Sequence, residues 1–135
     1  MFLLDTNILL ELLLNRENAD DADRFLQSVP ASELHTSEFT LYSLGILLSQ
    51  RKMANTFLEM VEDLVVRGGT TVIRLLPEDM RNVIQTSARY SLDFDDAYQY
   101  VAAERYGLTL VSLDAHFDRT EKGPKTPGDL IASSR

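Results

Sequence analysis

The sequence contains no cysteine. Without thiols there is no disulfide framework and no thiolate zinc site, and a reducing, cytoplasmic setting is the expectation. It has no apolar run near the roughly 18 residues of a membrane span. Met1-Phe2-Leu3-Leu4-Asp5 lacks the basic stretch that opens a signal peptide, so none is expected. Glycine and proline are sparse, six and four in 135 residues, and they are well spaced rather than gathered into a linker. With no repeat and no low-complexity tract either, one domain over residues 1–135 is expected, long enough to bury a core. Positive charge is in deficit: thirteen Lys and Arg face twenty-one Asp and Glu, a formal charge of −8. Such a surface does not coat nucleic acid by charge alone, but it holds the oxygen ligands that hard cations need. Histidine is almost absent. His35 and His116 have no partner at His-x-x-x-His spacing, and His116 reads as a partly exposed loop residue.

What is present alternates. Phe2-Leu3-Leu4 reads as a buried strand, followed by helices over 7–14 and 17–29. A short strand over 33–36 leads into an apolar helix over 38–50. Residues 55–66 repeat apolar side chains at helical spacing until Gly68-Gly69 stops them. The β-branched stretch 71–75 is strand-like, and helices over 77–90 and 93–106 follow, the second closed by Gly107. Residues 108–112 form the clearest strand, and the tail from Arg119 is polar and turn-rich until Asp129-Leu130-Ile131. Strands alternating with helices imply an α/β fold, a short parallel sheet covered on both faces.

Parallel sheets of this kind bind ligands beyond the carboxyl ends of their strands. Acids gather there. The first strand ends in Asp5-Thr6-Asn7, the second runs into Ser37-Glu38, and the last ends in Ser112-Leu113-Asp114 with Asp118 close behind. Asp93, Asp95 and Asp96 open a helix on the same edge. Each acid taken singly makes a good helix cap or dipole partner. Together they repel one another unless a divalent cation sits between them. Mg²⁺ or Mn²⁺ there would assist attack on a phosphodiester. Thr6, Asn7 and Ser112 are short polar groups suited to orienting acids or waters, with Asp93 and Asp118 flanking them.

These residues resemble a known family. Phe2-Leu3-Leu4-Asp5-Thr6-Asn7, Asp96-Ala97 at a helix start, and Leu110-Val111-Ser112-Leu113-Asp114 followed by Phe117 are similar, in order and spacing, to the motifs of PIN-domain proteins. The resemblance implies a compact three-layer α/β/α domain and metal-dependent endoribonuclease activity. It also implies a metal held by Asp5, Asp96 and Asp114. Many small members are VapC-like toxins paired with an antitoxin protein. One position departs. The family commonly carries a Glu inside the third helix, shortly before a small residue; Thr40-Leu41-Tyr42-Ser43-Leu44-Gly45 has no acid. Glu38 is the nearest carboxylate and is expected to act as the displaced second catalytic acid.

Other features carry less. Arg119, Lys122 and Lys125 follow the last acidic position, with Glu121 the one acid between them, and read either as a solvated polar loop or as candidates for contact with RNA phosphates. Tyr98 and Tyr100, two apart, cannot share a helix face, so the tyrosines from 90 to 106 are not read as a base-stacking platform. A buried inner layer is the simplest account of the apolar excess of residues 8–14 and 39–48; a homodimer contact or an antitoxin groove is the functional one. Two other functions fit the same pattern. A receiver-like domain would need an acceptor Asp ending a central strand, which Leu75-Leu76-Pro77 does not offer. A PIN-like module that binds RNA or protein without cutting would follow from loss of the second acid.

Overall fold

In this computed structural model, residues 1–121 and 123–133 are described. Four parallel strands form the sheet: β1 (Phe2–Leu4), β2 (Leu34–Ser37), β3 (Thr71–Ile73) and β4 (Thr109–Val111), in the order β3-β2-β1-β4. Every crossover is helical, as parallel pairing requires. The helices are α1 (Thr6–Leu13), α2 (Ala19–Ser28), α3 (Glu38–Gln50), α4 (Ala54–Met60), α5 (Met80–Tyr90), α6 (Phe94–Tyr106) and α7 (Pro127–Ser133).

Strand alternation divides the core in two. Leu3 and Leu110 face one side, where Val83, Tyr98, Val101, Ala102 and Phe117 cover them. Leu4 and Val111, their chain neighbours, face the other, against Ile8, Phe25, Leu34 and Leu44. A period of two therefore supplies both layers from three-residue strands. The result is the expected α/β/α arrangement, with α5 and α6 on one face and α1, α2 and α4 on the other.

Four local differences from the sequence expectation have physical causes. Helix 55–66 splits: α4 ends at Met60, and Val61–Val66 continue as a π turn whose wider ring is closed by Arg67 N–H donating to Glu62 O at 2.9 Å. Gly68 permits this end, because a Cβ there would lie 2.3 Å from Asp63 O. The helix expected from Pro77 begins as a 3₁₀ turn, Pro77–Asp79, before α5. Strand β3 stops at Ile73 rather than 75. The polar tail contains a helix, α7, started by a reciprocal cap: Thr126 Oγ1 accepts from Asp129 N at 3.0 Å and Asp129 Oδ2 from Thr126 N at 3.2 Å. Leu130 and Ile131 of α7 then pack on the α2 side of the core.

The sheet sets the site by ending β1, β2 and β4 at one edge. Beyond β4 the chain turns through a 3₁₀ segment, Ala115–Arg119, pinned by the fully buried Phe117 ring. Phe117→Ala should lower stability by about 3–5 kcal/mol, the usual cost of emptying a large aromatic site, and calorimetric or denaturant unfolding measures it.

Candidate active site

Asp5 follows β1 and caps α1, so it arrives at the strand edge already oriented. Its Oδ1 accepts from Thr6 N at 2.8 Å and from Gln99 Nε2 at 3.2 Å. Its Oδ2 accepts from Ser112 Oγ at 2.8 Å and from Asn7 Nδ2 at 3.3 Å. The carboxyl is buried. Burial pushes its pKa up, against the hydrogen bonds from Ser112, Gln99 and Thr6, which favour the anion.

Ser112 and Asn7 tie β4 to this carboxylate. Ser112 Oγ donates to Asp5 and accepts from Asp114 N at 3.0 Å and Asn7 Nδ2 at 3.1 Å. Asn7 Oδ1 accepts from Leu113 N at 3.2 Å. Thr6 Oγ1 meets Thr40 Oγ1 at 2.9 Å. Thr6, Asn7 and Ser112, expected to orient acids or waters, thus contact Asp5 or its neighbours.

Asp96 lies in the first turn of α6 and Asp114 directly precedes the 3₁₀ segment. His116 Nδ1 is 3.2 Å from Asp114 Oδ1 and 3.5 Å from Asp96 Oδ2. Asp96, Asp114 and His116 each offer one ligand atom within 4.8 Å of the others. Burial, then the carboxylates of Asp114, Asp95 and Asp5, push the Asp96 pKa up to about 7, with His116 opposing. Asp5, Asp95, Asp96 and Asp114 line one cavity of about 210 Å³ with Thr6, Asn7, Leu10, Phe39 and Gln99. Among the described residues that wall contains no Lys or Arg.

The remaining candidates divide. Glu38 is the first residue of α3 and half-buried, but it does not line this cavity. Phe39 comes to the wall instead. Ser37 caps α3 by accepting from Thr40 N, and this cap turns Thr40 toward Thr6 and Gln99. Asp93 and Asp118 are exposed and also lie outside the cavity wall. Arg119 donates to Ser91 O at 2.7 Å, and Lys125 lines a separate cavity with Tyr100, Glu104 and Leu108. Neither lines the wall of the acid cavity. Lys122 lies outside the described residues.

Two residues at the site escaped the sequence reading. Gln99, 1% exposed, donates to Asp5 and to Thr40 Oγ1 at 2.8 Å and accepts from Ser37 Oγ at 2.8 Å. Its only sequence signal was a polar side chain on the otherwise apolar inner face of a helix, one turn after Asp96. His116 was visible between Asp114 and Asp118, but the 3₁₀ turn that brings its ring back to Asp114 was not.

The fold has counterparts among solved structures. The structure is similar to a toxin–antitoxin complex from Klebsiella pneumoniae (TM-score 0.75, 20% identity, covering 94% of this chain and 98% of that one). It is similar to FitAcB from Neisseria gonorrhoeae (0.77, 18%, 95% and 99%). It also resembles VapC20 of Mycobacterium tuberculosis, a sarcin-ricin loop cleaving toxin (0.73, 17%, 85% and 91%). No curated protein matches the sequence. The family model described as PIN domain matches residues 2–123, and with the acids of three separate elements meeting at one sheet edge, the chain belongs to the PIN domain family.

Proposed function

We infer that this protein is a metal-dependent endoribonuclease and the toxin of a toxin–antitoxin pair, working in the cytoplasm. The observation that carries this reading is the convergence of Asp5, Asp96 and Asp114 on one cavity, with His116 beside them. The resemblance to toxin structures, one of them described as cleaving RNA, supports it.

The donor set fits a divalent cation. Oxygens predominate, as Mg²⁺ and Mn²⁺ prefer, and the imidazole of His116 favours Mn²⁺ between the two. Asp5, Asp96 and Asp114 would hold the ion. When bound, such an ion makes water a better nucleophile at neutral pH and offsets charge on a phosphoryl oxygen. The protein's own groups do the positioning. Ser112, Gln99 and the Thr6 N–H fix the Asp5 carboxylate, so little reorganisation remains. Asp114 accepts from the His116 N–H at 2.9 Å, which locks the loop that carries both. Asp96 is the group that holds a proton near neutrality while no cation is present. Leu10 and Phe39 give the cavity an apolar flank that limits water.

The partner surfaces are separate from this cavity. Leu9, Leu12 and Leu13 of α1 join Leu26, Met60 and Leu64 around a groove of about 300 Å³, with Glu59 and Asp63 also lining it. An apolar floor with acidic walls suits a basic amphipathic helix, and we assign it to the antitoxin. On α3, Tyr42 and Ile46 are 63% and 62% exposed and one turn apart, which suits a homodimer contact.

Asn at Asp5, Asp96 or Asp114 should each abolish RNA cleavage in Mn²⁺, and chelator should do the same to the parent protein. Glu38→Gln should leave cleavage within a few-fold of the parent. An Asp5→Asn variant that cuts at the parental rate would overturn the site. A second expectation concerns pH. The native Asp96 holds a proton between its ordinary pKa of 3.8 and about 7, where the unfolded chain has lost it. Stability of the metal-free protein should therefore fall as pH rises through that window. Asp96→Asn should flatten the fall, and added Mn²⁺ should reverse it; thermal melts across pH measure both. Third, Leu12→Glu should abolish capture of the antitoxin, whereas Ile46→Asp should shift the protein to monomer in sizing runs without affecting that capture.

A further inference from the structure

We propose that Phe94, with Phe39 behind it, stacks an unpaired base of the RNA beside the acid cavity, so that the RNA is held there by ring contact more than by charge. The proposal rests on the nuclease reading above and adds what grips the RNA.

Three rings pack together, and the one among them that lines the cavity is Phe39. Phe39 lines the cavity and stacks on Tyr98, with ring centroids 5.2 Å apart and planes 29° apart. Phe94 leans on both, 6.3 Å from Phe39 and 6.4 Å from Tyr98, at 47° and 44°. Tyr98 belongs to the core; it is buried, and its hydroxyl accepts from Leu75 N at 2.9 Å. Phe39 is half-buried. Phe94 is the outer ring, 44% exposed, two residues before Asp96 on the same helix. A lone exposed Phe is ordinary. This one is distinguished by place, because its neighbouring ring walls the same cavity as the acids.

Charge makes the case from the other side. Among the described residues, four of the nine that line the cavity are Asp and none is Lys or Arg. Arg119 is hydrogen-bonded to Ser91 O, and Lys125 lines a different cavity. With a formal charge of −8, this protein gains little from neutralising phosphates. Base stacking supplies affinity without positive charge and tolerates any base, since each has a π-face. Bases inside a duplex are already stacked on their neighbours and leave no face for Phe94.

The test compares the parent with Phe94→Ala, Phe94→Leu and Phe94→Tyr. Anisotropy of a labelled, unstructured mixed-sequence oligoribonucleotide reads binding, with Ca²⁺ present to suppress cleavage and the annealed duplex as comparison. Loss of one stacked base should weaken single-strand binding about 5- to 150-fold in the Ala variant. Leu should fall with Ala, Tyr should hold near the parent, and the duplex should bind poorly to all four. Parental binding should also weaken only shallowly with added salt. If Leu binds like the parent, the ring serves packing alone and the proposal is wrong; it is equally wrong if Ala binds like the parent or if the duplex binds as well as the single strand. Cleavage of total RNA by the parent in Mn²⁺ separates the two levels. If the parent cuts and the Phe94 variants bind unchanged, only the stacking proposal falls. If the parent cuts no RNA in Mn²⁺, the nuclease reading and the proposal fall together.

Discussion

A buried carboxylate must be compensated, and the way Asp5 is compensated organises this molecule. Its two oxygens collect donors from the start of α1, from α6 and from the end of β4. A fourth connection is main-chain, Asp5 N–H to Val111 O at 2.9 Å. Elements separated by about a hundred residues are thereby fixed to one atom group. An unsatisfied buried acid costs more than a typical hydrogen bond returns, so this arrangement tolerates little slack. The cavity keeps its shape because Asp5 demands it.

The same demand explains the neutral groups around α3. A second acid near Asp5 would add repulsion where burial already disfavours charge. Thr40, Ser37 and Gln99 form a hydrogen-bonded chain there without any charge. The anionic charge is concentrated instead toward Asp95, Asp96 and Asp114, where the His116 ring offers partial relief.

Much of the fold was legible because its signals are local or periodic. Phe2-Leu3-Leu4 and Leu110-Val111 carry the alternation that fills both layers, and Gly107, at φ 65°, ends α6 where a left-handed residue is needed. Asp5 and Asp114 follow strands and Asp96 opens a helix, so the parallel topology by itself places all three at one edge. Gln99 and His116 were not legible, since their roles depend on helix rotation and on a 3₁₀ turn, neither of which leaves a pattern in the chain. Glu38 shows the limit most clearly. Its distance along the chain from β2 was right, but Phe39, the next residue, faces the cavity instead. Helix α7 was legible in principle through Thr126-Pro127-Gly128-Asp129, a reciprocal cap with proline at the first helical position.

Strand β4 ends the sheet on its side, yet it is not bare. Lys125 runs parallel to it, donating to Leu110 O and accepting from Ser112 N, each at 2.9 Å. That single rung closes the half of the edge nearest the acids to any foreign strand. The stretch after the last acid thus serves as a guard against templated association, and a chain cut short before it would present a hydrophobic, unpaired edge to its neighbours. The sequence of that segment reads only as a polar tail, yet its backbone pairs with the sheet's edge strand.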